Sequence, residues 1–79
     1  MRHYLYFPQK PAAEKAGERL RSSGFAVEVR KGADGKNWLA LATRTPPKTG
    51  EEMDEVRNEM EALASELNGE YDGWELPVE

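Results

Sequence analysis

"GEYDGWE", residues 69–75, decides how this chain folds, because it sets an Asp-Gly pair between two aromatic residues only six residues from the end. Asp-Gly between strand-forming residues is one of the strongest short-range signals for a tight hairpin. A hairpin here would leave "WEL" as the return strand before Pro77 removes a ladder donor, which is too short to hold. We therefore read "EYDGWEL" as one last strand, with Asp72 and Gly73 forming a β-bulge. Glycine adopts positive φ without penalty, and one extra residue swings Tyr71 and Trp74 to the same side of the sheet. The alternative is an unbroken strand in which Gly73 makes room for a neighbouring ring.

Upstream of that strand lies the clearest helix. Thr49 and Glu52 form a capping box, Met53, Val56, Met60, Leu63 and Leu67 recur at three-four spacing, and Asn68 with Gly69 supplies the stop. Before it, "FAVEVR" (25–30) alternates, with Phe25, Val27 and Val29 on one face. "KGADGKN" turns the chain at Asp34 and Gly35, and "WLALATR" (38–44) returns it until residues 45–48, "TPPK", end the ladder. Within the return strand, Leu39 and Leu41 are expected to face one way and Trp38, Ala40 and Ala42 the other. "RHYLYF" (2–7) is a first strand stopped by Pro8. From Pro11, Ala12, Ala13, Ala16 and Leu20 recur at helical spacing as far as Gly24.

The order is βαββαβ, which predicts an α+β, ferredoxin-like sandwich: a four-stranded antiparallel sheet with both helices on one face. Right-handed crossovers put strands 1 and 3 in the centre and strands 2 and 4 at the edges. The expected core is Leu5, Phe25, Val27, Val29, Leu39, Leu41, Val56, Met60, Leu63 and Leu67.

With 79 residues, the chain is expected to make one domain, spanning 1–79, of a size that buries only about 60% of the surface its unfolded form exposes. It has no cysteine, hence neither disulfides nor a thiolate metal site. The longest apolar run is the five residues 38–42, and the N-terminus lacks the apolar region and cleavage site of a signal peptide. We expect a soluble, cytoplasmic protein with no membrane partner. Charge is unevenly spread along it. Residues 1–48 carry ten Lys/Arg and four Asp/Glu, whereas residues 49–79 carry one Arg and eleven Asp/Glu. Such asymmetry points to charged partners or to internal pairing of the two halves.

The residues of catalysis are not arranged here. His3, the only histidine, reads as a strand-end or partly buried residue, and no base is placed beside a nucleophile. Gly32 and Gly35 belong to a hairpin, so there is no phosphate loop. Glu51, Glu52, Asp54, Glu55 and Glu59 radiate around a helix and do not converge on a cation. No enzyme activity, cofactor or metal is expected.

Two surfaces remain as candidates. Glu51, Glu55, Glu59 and Glu66 lie on one helix flank with no Lys or Arg among them, each like-charge pair costing a few tenths of a kcal/mol. Asp54, Arg57 and Glu61 on the other flank compensate one another. Opposite the helices, Tyr4, Tyr6 and Trp38 would stand outward on the central strands, where RNA-recognition motifs of this topology present stacking rings. "WLALATR" lacks the basic-Gly-aromatic pattern of those motifs, which leaves single-stranded RNA binding, or packing and self-association as a homodimer, open for that face; a self-associating module that binds a small ligand is a third class.

The terminal "GEYDGWE" closely resembles the most recognisable stretch of the RraB family, the regulators of ribonuclease E activity, and "YLYFP" (4–8) looks like its small members. The likeness covers essentially the whole chain, and Glu70, Tyr71, Asp72, Gly73 and Trp74 match the family motif position by position. The resemblance implies a ferredoxin-like fold and a non-enzymatic inhibitor that binds the endoribonuclease through its basic scaffold region and so modulates RNA degradation. It implies no catalytic residues.

Overall fold

Each helix of this chain is bounded by local chemistry. The structure is a computed structural model that describes residues 1–76, in the order β1 (Arg2–Phe7), α1 (Lys10–Ser22), β2 (Ala26–Lys31), β3 (Trp38–Thr43), α2 (Gly50–Glu66) and β4 (Glu70–Glu75). Pro11 sits in the first turn of α1, where its missing N–H costs nothing. The helix closes with Gly24 at φ +92°, the Phe25 amide bonding the Leu20 carbonyl at 3.0 Å. For α2, Thr49 Oγ1 accepts from the Glu52 amide at 3.1 Å. The Glu52 carboxylate in turn accepts from the Lys48 amide at 2.9 Å, one residue ahead of the cap. Asn68, at φ 60°, ends α2, and the Gly69 amide bonds the Ala64 carbonyl at 2.7 Å. Pro77, expected to stop the last strand, lies outside the described residues.

The four strands form one antiparallel sheet in the order β2-β3-β1-β4, with strands 1 and 3 central as expected. Helix α1 packs over β2 and β3, and α2 over β4 and β1. The inward side of α1 is Ala13, Ala16, Gly17 and Leu20. A Cβ added at Gly17 would stand 3.2 Å from Val27 Cγ1 and 3.4 Å from Val29 Cγ2, so this helix lies close on β2.

The facing of β3 is the reverse of the expectation. Register pairs Phe7 with Trp38, Leu5 with Ala40 and His3 with Ala42, and residues directly opposite in a ladder share a face. His3, Leu5 and Phe7 are buried toward the helices, so Trp38, Ala40 and Ala42 face inward with them. Leu39 and Leu41 lie on the open face, opposite Tyr6 and Tyr4. The physical reason is volume: Leu5 and Phe7 already fill the space below the helices, and the alanines beside them admit α1. The core also includes Phe7, Ala13, Ala16, Leu20, Ala40, Ala42 and Ala64, with Val27, Val29 and Leu67 half-buried at its margin.

Leu39 is nonetheless buried. The β2–β3 loop helps to cover that end of the open face: a Cβ on Gly32 would lie 3.2 Å from Tyr6 Cε1. Asp34 organises the same loop by accepting from the Lys36 and Asn37 amides at 2.9 and 3.1 Å.

The facing of β3 has a direct test in denaturant unfolding. Ala40→Leu, which overfills the helix side, should cost about 1–3 kcal/mol, while Leu41→Ala on the open face should cost less than Leu63→Ala in the core, at about 2–5 kcal/mol. Gly69→Ala should also destabilise by about 1–3 kcal/mol, because its Cβ would collide with the Tyr6 carbonyl and the Phe7 ring.

Candidate functional site

The strand that carries the terminal motif is an edge strand, and its bulge is real. Glu70 pairs with Tyr6, Tyr71 with Leu5, Trp74 with His3 and Glu75 with Arg2. Two residues, Asp72 and Gly73, therefore oppose Tyr4 alone, and Gly73 sits at φ +93°. Because Leu5 and His3 both face the helices, Tyr71 and Trp74 lie on that same side, although three residues apart in an unbroken strand would have put them on opposite faces. Tyr71 is half-buried against the core. Trp74 remains 44% exposed.

Tyr71 reaches inward to His3, whose Nδ1 lies 2.9 Å from its hydroxyl. His3 is only 2% exposed, more deeply set than a strand-end residue. Its ring meets Phe25 edge-on at 5.8 Å, and the Arg44 guanidinium lies 4.0 Å over the other end of that row, on Phe25. Arg44 is held there by a 2.9 Å bond to the Ser23 carbonyl, and its own carbonyl accepts from the N-terminal ammonium at 2.9 Å. Burial, then the nearby ammonium and Arg44, lowers the His3 pKa to about 4. Burial, then Glu61, raises the Tyr71 pKa. Both groups are thus neutral at pH 7, a polar pair of the buried His3 and the half-buried Tyr71 that stitches β1 to β4.

The two flanks of α2 have different surroundings. Glu55 and Glu59 line a cleft with Ser23, Arg44, Pro46, Pro47 and Lys48, on the side toward α1. Glu66 is not uncompensated as its helix neighbours implied: Arg19 of α1 grips it with both guanidinium nitrogens, at 2.6 and 3.0 Å, and holds its carboxyl below the usual range. Nothing local in sequence marks a pair 47 residues apart. Among the described residues, Glu51, Glu55 and Glu59 make no ion pair. On the opposite flank, Asp54 pairs with Arg57 at 3.2 Å, and Glu61 acts on Tyr71. The acidic flank and the terminal motif therefore lie on opposite sides of α2 and form no single site.

The open sheet face carries Tyr4 and Tyr6 as expected, but with Leu39 and Leu41 between them and β2. Trp38 lies on the other face, half-buried beside the core, so the three rings share no surface. The Tyr4 hydroxyl donates to Glu75, which also pairs with Arg2 at 3.4 Å. Among the described residues, no group of three or more His, Cys, Asp or Glu is placed to hold a metal ion, and no helix is long and apolar enough to cross a membrane.

The depressed His3 pKa has a signed consequence for stability. The folded state favours the neutral ring, so its contribution is complete above the unfolded value near pH 6.5 and is lost as pH falls toward 4, an effect of up to ~3 kcal/mol. His3 being the only histidine, an NMR titration of its ring protons should show a midpoint near 4; a midpoint in the usual imidazole range would refute its burial.

No curated protein matches the sequence. The family model described as Regulator of ribonuclease activity B, RraB, matches residues 1–76, a span that takes in every strand and helix above, including the bulged strand with its Tyr-Asp-Gly-Trp. This chain therefore belongs to the RraB family of regulators of ribonuclease activity.

Proposed function

We propose that this chain is a non-enzymatic, protein-binding regulator of RNA degradation that engages a basic segment of an endoribonuclease or of its scaffold through the carboxylates of α2 and β4. The observation that carries this is how the topology distributes charge. Because α2 packs over β4 and β1, the acidic second half of the sequence is gathered at one edge of the molecule. Of its ten described carboxylates, only Glu66 and Glu75 pair with cations from the first half. Internal pairing of the halves thus leaves most of the negative charge free for a partner.

A scaffold that holds RNA would do so with basic, Arg-rich segments, because guanidinium groups pair with phosphates. Carboxylates presented along a rigid helix compete for the same guanidinium groups that would otherwise hold phosphates. Contacts of this kind are screened by salt and act largely on the association rate. Glu55 and Glu59, open at the cleft and in no ion pair, are the first candidates.

Replacing Glu55 and Glu59 together by Gln should weaken binding to a basic ribonuclease E scaffold fragment several-fold at low ionic strength. The thermal midpoint should stay level or rise slightly, since a like-charge pair is relieved. Calorimetric titration at two salt concentrations checks this. Absence of binding by the unmodified protein at low salt would refute the proposal, and equal binding by the double variant would remove the acidic flank from it.

A further inference from the structure

Two tryptophans lie partly at the surface, and their surroundings differ. Trp38, at the end of β3, has the ammonium groups of Lys10 and Lys31 at 5.3 and 5.5 Å from its ring, within the range of cation–π attraction. Among the described residues, no cation lies over Trp74, which is 44% exposed. The bulge turns Trp74 to the helix side at the cost of a broken ladder opposite Tyr4 and a glycine at φ +93°. Yet that turn does not bury it. Bulges commonly re-aim a side chain at a functional place, and here the re-aimed ring is left open at the sheet edge.

Its surroundings define what completes it. On the strand that carries Trp74, Asp72 at the bulge is in no ion pair among the described residues, nor is Glu61, which faces Tyr71 from α2, while the nearby Arg57 is paired with Asp54 and Glu70, opposite Tyr6, stands on the open face. Leu76, two residues on, is 53% exposed and adds apolar surface. An uncovered π face in a negative field attracts a cation with a flat, weakly hydrated head and an apolar stem. Arginine fits that description better than lysine.

We infer that Trp74 is the anchor for an arginine side chain of a basic protein segment docking along the β4 edge, the incoming guanidinium doing for Trp74 what Lys10 and Lys31 do for Trp38. The inference rests on the reading that the partner is basic. It adds where the partner is gripped, on the opposite side of α2 from Glu55 and Glu59, and which residue type does the gripping.

The test uses the full chain carrying Trp38→Phe, so that Trp74 is the sole indole, titrated at low ionic strength with an arginine nonamer and a lysine nonamer. The arginine peptide should bind more tightly and change the Trp74 emission. Adding Trp74→Leu should weaken the arginine peptide roughly two- to fivefold and the lysine peptide less than twofold. Trp74→Phe, with a weaker π face, should fall between. Thermal midpoints check folding, and the emission response in the Trp74-containing protein stands independently of whether Trp74→Leu folds. Unchanged arginine-peptide affinity in Trp74→Leu, or an unresponsive indole, overturns the anchor. The basic-partner reading survives that result if both peptides bind and Glu55→Gln/Glu59→Gln weakens both. If neither peptide binds, both readings fall.

Discussion

The inward row of β1, His3, Leu5 and Phe7, is the constraint on which the rest of this fold depends. β1 is paired on both sides, so its inward residues dictate which residues of β3 and β4 face the helices with them. On the β3 side they select Ala42, Ala40 and Trp38, and the two alanines open the space that α1 enters with its own small face of Ala13, Ala16 and Gly17. On the β4 side they select Tyr71 and Trp74. Satisfying both positions from one strand requires the extra residue at Asp72 and Gly73. Gly69 obeys the same row, since only a residue without a side chain fits between the Phe7 ring and the Tyr6 carbonyl. The terminal motif is therefore largely a record of how β4 accommodates β1.

The second organising fact is electrostatic. A split βαββαβ order sends the first and second halves of a chain to different edges of the sheet, α1 and β2 to one and α2 and β4 to the other. A charge asymmetry along the sequence thereby becomes a charge asymmetry in space. The pairs that cross between the halves, Arg19–Glu66 and Arg2–Glu75, are exposed, and exposed pairs contribute at most about 1 kcal/mol each. They orient neighbouring elements more than they stabilise them. Stability rests on the apolar layer between sheet and helices, while the excess carboxylates supply a field that a basic partner would feel before contact.

Much of this was legible in the sequence because the signals were local. Pro11, the Thr49–Glu52 box, Asn68 and Gly24 act on backbone groups within a turn of themselves, so the element boundaries could be read directly. Asp72 and Gly73 marked where a bulge could form, because glycine takes a positive φ without penalty, but only the register of β4 on β1 chose it over an unbroken strand. Charge asymmetry needed only counting. The facing of β3 was not legible, since "WLALA" is apolar on both of its faces and alternation cannot choose between them. That choice belongs to the cross-strand register with β1 and to the volume left by Leu5 and Phe7. Nor did helix periodicity reveal that α1 brings Arg19 to Glu66, or that Trp38 lies beneath Lys10 and Lys31 and not beside Tyr4. Sequence by itself determined the elements, their order and the sign of each half of the chain. The tertiary structure alone decided which faces and flanks meet, because packing and pairing join residues dozens of positions apart, where no local preference reaches.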